Sequence, residues 1–211
     1  MNKLLLVISL CFTVFISAQT SVKKELKMIE TEAQAEEYLE SKKSRKNKLL
    51  VFNTEKHKSK LAKELLEMPT GFTKIEKEQF KKTHYKVISK ANVPHYRISY
   101  IYLDGAKLSI DKIYDLRKKI MVKYNKGVKF EDLAKRYSMA DNALKGGDSG
   151  WVKDGELPIE IENEANDLKH NLDDIYDVKT EKDNGYYIIK KTHRIQEIKE
   201  VSVLKVSENI D

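Results

Sequence analysis

The chain has 211 residues, with Lys+Arg 40 against Asp+Glu 33, one cysteine and three prolines. Hydrophobic residues at 40% and charged residues at 35% fit a soluble, highly charged protein of one or two domains better than a disordered one. The formal charge of +7 does not imply nucleic acid: Arg45, Arg97, Arg117, Arg136 and Arg194 are scattered, and the lysines alternate with Glu and Asp instead of forming a basic stripe.

Residues 1–18 read as a signal peptide. Lys3 is the positive start, Leu4 to Ile16 is a nearly unbroken apolar run, and Ser17-Ala18 offers small residues for cleavage before Gln19. The run is shorter than the about 20 apolar residues a membrane span needs, and it contains Ser9 and Thr13. Leu10 precedes Cys11 where a lipoprotein signal wants a small residue. Cleavage therefore leaves a mature chain without cysteine, and so without disulfides or thiol chemistry. The expected location is periplasmic or secreted, with no stable membrane insertion after cleavage.

The first half is rich in Lys and Glu and carries little chemistry. Thr31 caps a predicted helix from Glu32 to Ser44, and Lys48 to Phe52 is a short apolar run with the character of a buried strand. A second helix is predicted over Glu55 to Met68, with Leu61, Leu65 and Met68 at helical spacing, stopped by Pro69-Thr70-Gly71. Tyr85 to Ile88 is a further strand candidate. From Arg97 to Leu103 the residues alternate, placing Ile98, Tyr100 and Tyr102 on one face and Ser99 and Ile101 on the other. Ser109 caps a helix bearing Ile113, Leu116, Ile120 and Tyr124, closed by Gly127; Phe130, Leu133, Ala134 and Tyr137 mark a short second one. A Gly-rich loop follows, then a helix marked by Ile161, Ala165 and Leu168. Two strands, Ile175 to Thr180 and Gly185 to Ile189, are joined by a turn at Asp183-Asn184-Gly185.

FEDLAKRYS (Phe130 to Ser138) and GGDSGWVKDGELPIEIE (Gly146 to Glu162), followed by Val178-Lys179-Thr180 and Gly185 to Lys190, resemble the parvulin-type (PpiC-like) peptidyl-prolyl cis-trans isomerases. The likeness runs from about Arg97 to Thr192. It implies an α+β fold, a four-stranded antiparallel sheet flanked by helices, preceded here by an N-terminal α/β extension. The domain reading that follows is residues 1–18 signal peptide, 19–94 extension of unknown role, 95–195 parvulin-like isomerase domain and 196–211 C-terminal tail.

The chemistry implied needs no nucleophile, metal or cofactor. An X–Pro bond rotates over a barrier of about 18–20 kcal/mol, and the twisted amide has a less polar carbonyl and a more basic nitrogen. An apolar pocket for the proline ring and a few polar groups that favour the twisted amide are sufficient apparatus. Carried over residue by residue, the family's two sheet histidines fall at Tyr100 and Tyr187, and phenols can keep a polar network because each donates and accepts. The Cys or Asp facing the rotating amide falls at Ala140, with Asp141 next to it. The pocket's Met, Phe and Leu fall at Leu157, Ile161 and Ser149, and Thr180 matches the family's Thr. Expected catalytic residues are thus Tyr100, Asp141, Thr180 and Tyr187, and expected substrate-binding residues Ala140, Ser149, Leu157 and Ile161. No Arg cluster stands between Leu103 and Ile113, so a preference for acidic or phosphorylated substrates is not implied.

The expected partners are unfolded or nascent polypeptides with X–Pro bonds, in folding of envelope or secreted proteins. Two rivals remain open: a non-catalytic chaperone or peptide-binding module with the same fold, and an envelope structural or assembly protein resting on residues 20–95. The five histidines lack metal-ligand spacing, the Gly146–Gly150 loop lacks the Lys-Ser/Thr ending of a phosphate cradle, and Trp151 reads as a core anchor beneath that loop.

Overall fold

The computed structural model describes residues 21–209; the segment read as a signal peptide lies outside the described residues. Helices α1 (Val22–Lys27) and α2 (Glu32–Lys42) lead into β1 (Lys48–Asn53), α3 (Lys60–Glu67), β2 (Thr73–Glu78) and β3 (Lys81–His95). There follow β4 (Ile98–Asp104), α4 (Ile110–Asn125), α5 (Phe130–Tyr137), a 3-10 turn (Ala143–Lys145), α6 (Ile159–Asn166), β5 (Ile175–Thr180) and β6 (Gly185–Lys191). The last element is β7 (Gln196–Asn209).

Local chemistry fixes several of these bounds. Thr31 starts α2 with a reciprocal cap: its hydroxyl accepts from the Gln34 N–H, while the Gln34 side chain accepts from the Thr31 N–H. Helix α3 begins at Lys60, later than the predicted Glu55. Asn53 Oδ1 accepts from the backbone N–H groups of Glu55 and Lys56, which holds a turn there, and Ser59 supplies the helix cap. Helix α6 ends at Asn166, so the predicted helical marker Leu168 stands beyond it and is 90% exposed.

The fold is α+β and antiparallel throughout. One sheet has four strands in the order β1-β7-β3-β2, and a second has three in the order β4-β6-β5. Beside β4 the chain adds two isolated bridges, Tyr96 to Val152 and Ser99 to Asp148, so that the Gly-rich loop lines the free edge of that strand.

Within residues 196–211, expected as a tail, Gln196–Asn209 instead form the inner strand β7, paired with β1 on one side and β3 on the other. The physical reason lies in what covers the sheet. Leu26, Ile29 and Ala35 of the N-terminal helices pack with Ile88, Leu204 and Val206 on one face. On the other, Leu65 and Leu66 of α3 pack with Tyr85, Val87, Val201 and Val203. A strand buried on both faces loses the alternation that marks one with a wet side, and Val201 to Leu204 are all buried. The charged β2, Thr-Lys-Ile-Glu-Lys-Glu, is an edge strand and gave no apolar signal.

His95 at the end of β3 pairs with Gln196 at the start of β7. The chain therefore leaves the first sheet and returns to it at adjacent points, and residues 96–195 form an inserted unit. Polar contacts tie the two units together. Glu200 of β7 accepts from Lys153 Nζ of the insert at 2.7 Å and from Asn53 Nδ2 of β1 at 3.3 Å, and Lys56 pairs with Glu156 at 2.9 Å. Burial pushes the Glu200 carboxyl up, but the hydrogen bonds from Lys153 and Asn53 outweigh it and hold the group below the ordinary glutamate range.

This topology makes a sharp prediction. Deleting residues 196–211 removes Val201, Val203 and Leu204, three fully buried side chains worth about 1.5–3 kcal/mol each. Amide exchange is expected to lose protection across β1 and β3 while Ile101, Leu103, Ile188 and Ile189 of the insert stay protected. Persistent protection of Val87 and Ile88 in the truncated chain would refute the discontinuous first domain.

Candidate functional site

The site grows from the pairing of β4 and β6. Tyr100 and Tyr102 sit two residues apart and share a face, and the register sets Tyr187 opposite Tyr102. The Tyr187 ring meets Tyr102 at 4.9 Å between centroids and Tyr100 edge-on at 5.6 Å, giving a cluster of three phenols. Beneath it lies the core of Tyr96, Ile98, Val152, Ile161, Ala165, Val178 and Ile189. Gly185 allows the rings their position: a Cβ there would stand 2.7 Å from Tyr187 and 2.8 Å from Tyr102.

Two loops wall the cluster by bonding to β4. Met139 N–H donates to Tyr102 O at 2.8 Å, and Tyr102 N–H to Ser138 Oγ at 3.1 Å. Tyr100 N–H donates to Gly147 O at 2.9 Å, and Asn142 Nδ2 donates to Gly147 O and Asp148 O. Gly147 has φ +78, and a Cβ on it would lie 2.3 Å from Tyr100 O, so no other residue fits this approach. Arg97 grips Asp148 through Nε at 2.9 Å, which holds the Asp148 carboxyl below its usual range, and Gly150 N–H adds to the effect. On the opposite rim the β5–β6 turn presents Asp183. Its carboxylate accepts from the Thr180 hydroxyl and from Tyr187 OH at 3.2 Å.

The result is an open cleft of about 410 Å³ lined by Tyr100, Tyr102, Met139, Ala140, Asp141, Asn142, Asp183 and Tyr187. Burial, followed by the Asp183 charge, pushes the Tyr187 phenol well above its ordinary value. Burial raises Tyr100 and Tyr102 as well, with Asp141 adding to the first and Asp104 and Asp183 to the second. All three are therefore neutral hydroxyls at physiological pH, able to donate or accept. The donor of Tyr187 is already committed to Asp183.

Of the residues singled out in the sequence, Tyr100, Ala140, Asp141 and Tyr187 line the cleft. Thr180 is fully buried and acts through Asp183 and the Gly185 N–H, at 3.1 Å. Leu157 packs on the same core as the three tyrosines. Ile161 is 0% exposed, so it is core beneath the site and not a wall of the cleft. Ser149 lies outside the lining; its hydroxyl accepts from Ile98 N–H at 3.2 Å and secures the edge of β4. Trp151 is only partly buried and meets His193 edge-on, and does not join a core cluster. Sequence reasoning missed Tyr102, Asn142 and Asp183 as site residues. Tyr102 had a visible signal, its i+2 spacing from Tyr100, whereas Asp183 was legible only as a turn residue. Among the described residues no group of three or more His, Cys, Asp or Glu side chains could hold a metal ion.

Residues 102–193 match the rotamase family model, the PPIC-type PPIase domain. The inserted unit is thus a parvulin-type domain of the peptidyl-prolyl cis-trans isomerase class. The chain is similar to the foldase protein PrsA of Bacillus subtilis (strain 168), 49% identical over 72 residues, covering 33% of this chain and 23% of that protein. It is similar also to the foldase protein PrsA of Geobacillus kaustophilus (strain HTA426), 37% identical over 103 residues, covering 48% of this chain and 32% of that protein. The matched part spans a third or less of the length of these relatives. The crystal structure of PrsA from Bacillus subtilis aligns at 35% identity over 47% of this chain and 35% of that one, with a TM-score of 0.38.

Two outcomes are expected from this geometry. Gly147→Ala should cost about 2 kcal/mol or more, from a left-handed backbone and overpacking against Tyr100 O; an unchanged urea midpoint would contradict the close approach. The second concerns alkaline pH. Tyr96, Tyr176 and Tyr187 are all raised, chiefly by burial, so the unfolded chain loses these protons first, from about pH 10. Their contribution to stability is complete below that pH and falls as pH rises beyond it. Urea midpoints at pH 8.5 and pH 11 should drop across that interval, and a flat profile would be inconsistent with buried phenols.

Proposed function

We propose that the chain is an exported foldase, a peptidyl-prolyl cis-trans isomerase that acts on X–Pro bonds of unfolded or nascent polypeptides outside the cytoplasm. The observation that carries the catalytic part is the tyrosine-walled cleft, whose lining residues other than Tyr100 lie inside the segment that matches the rotamase family, with Tyr100 two residues before it. Export rests on the apolar run from Leu4 to Ile16. The proline ring packs against Met139, Ala140 and the aromatic rings. Among the described residues neither the Tyr100 nor the Tyr102 hydroxyl has a carboxylate hydrogen-bond acceptor, and Tyr100, on the wall beside Asp141 and Asn142, is assigned as the donor that engages the twisted amide. Tyr187, held by Asp183, fixes the ring arrangement. Stabilising the twisted state more than the planar one is the whole of the catalysis required.

A second reading, a peptide-binding module without turnover, is favoured by Ala140, a methyl group where the resemblance places a polar residue. A protease-coupled assay on an Ala-X-Pro-Phe series separates the two. The isomerase reading expects acceleration proportional to protein concentration, lowered about tenfold in Tyr100→Phe by loss of one hydrogen bond. Peptide binding without acceleration at any concentration, in a folded sample, would replace it with the binding module.

A further inference from the structure

Resting on the isomerase reading, we infer that the cleft selects X–Pro bonds in which X is a lysine or arginine, with Asp141 as the principal selecting group and Asp183 reinforcing it. The chain as a whole is basic, yet its cleft is not. Asp141 and Asp183 both line it, and neither forms an ion pair among the described residues. Among the described residues no Lys or Arg lines the cleft, and the base that bears on Tyr102 from outside the lining, Lys107, is held by Asp104 at 3.0 Å. The ionisable groups that bear on Tyr100, Tyr102 and Tyr187 are otherwise carboxylates: Asp141, Asp104 and Asp183. Asn142, on the same wall, is uncharged, and its Nδ2 is committed to Gly147 O and Asp148 O. The cleft therefore offers acceptors to a cation and only a neutralised cation to an anion.

The residue before proline is the one this field reaches. Its Cα is bonded to the carbonyl carbon of the rotating amide, so its side chain lies at the cleft in either direction of binding. Lysine has a long flexible stem ending in a compact charge, and arginine a planar fork suited to a carboxylate. A Glu–Pro bond brings a third carboxylate to a site that already holds two unpaired ones, and like charges so placed oppose binding. Asp183 is half committed, because it accepts from Thr180 and Tyr187. Asp141 has no such duty and is exposed, so its charge is free for substrate.

The test measures both kcat/KM and peptide Kd for Ala-Lys-Pro-Phe, Ala-Leu-Pro-Phe and Ala-Glu-Pro-Phe at low salt and in 0.5 M NaCl. The expected Lys-to-Glu ratio is on the order of tenfold at low salt, equivalent to about 1.4 kcal/mol. It should shrink in high salt as the Debye length falls. Asp141→Lys should reverse the order of the peptides, whereas Asp115→Lys, exposed on α4, should leave the ratio as it was. Turnover with equal constants for all three peptides would overturn this inference and leave the isomerase reading standing. A Kd preference for the lysine peptide without turnover would do the reverse. A preference that survives Asp141→Lys would also overturn it, by removing the group assigned to selection.

Discussion

The antiparallel pairing of β3 with β7 is the constraint on which the rest of the structure depends. It joins segments separated by the whole inserted unit, and it gives the first sheet its centre, since β1 can pair only with β7 and β2 only with β3. Loop-closure entropy grows slowly with length, so a long insertion is tolerable. A folded insertion is more tolerable still, because its own ends already lie together. That condition is met here: His95 and Gln196 are partners in the ladder, and just beyond them Thr192 Oγ1 donates to Arg97 O at 2.9 Å. The insert thus brings its two ends to the spacing that the sheet of the first unit requires.

The elements most legible in the sequence have one face toward solvent or the cleft, whereas Tyr85 to Ile88 of β3, covered on both faces, is visible only as a short apolar run. β4 alternates cleanly because Tyr100 and Tyr102 face the cleft while Ile101 and Leu103 face the core below α4 and α5. Helix α4 was legible from Ser109 and the spacing of Ile113 and Ile120 for the same reason. β7 was not, since helices cover both sides of it and its apolar run is interrupted by Lys199, Glu200, Ser202 and Lys205. Of these, Glu200 and Ser202 are buried, and Glu200 is there because it joins the two units. A polar residue recruited for an interface erases the pattern from which the strand would have been read. The same logic applies to the site. Tyr100 and Tyr187 could be placed by resemblance, but Asp183 reads only as a turn residue, because whether a turn carboxylate folds back onto Thr180 and Tyr187, three and four residues away, depends on how the turn is wound. Ile161 errs in the opposite direction: matched to a pocket residue, it is covered completely by its own core.

The cleft is anchored on the backbone of β4, and the side chains of Ser138, Asn142 and Asp183 complete its walls. Tyr100 and Tyr102 each engage a neighbouring loop through main-chain N–H groups, so both walls are referenced to one strand. Gly147 makes this possible by letting a carbonyl reach Tyr100 at a distance no side chain would permit. The Arg97–Asp148 pair then fixes the loop from outside the cleft, and among the described residues no Lys or Arg lines the site. Structural cations are spent on structural anions, and the acidic character of the cleft follows from that division.

Phenols where the resemblance places an imidazole pair change what such a site can respond to. Histidine changes charge near neutrality, so a cleft built on it alters its field over the physiological range. Tyr100 and Tyr187 do not, because burial and neighbouring carboxylates push both further above their ordinary value. The ring cluster therefore presents the same neutral hydroxyls from mildly acidic to mildly alkaline conditions. For the exported foldase proposed above, that constancy matters, because outside the cytoplasm the pH is not buffered by the cell. There, phenols that stay neutral are an advantage independent of rate, because they keep the hydrogen-bonding character of the ring cluster fixed across that range.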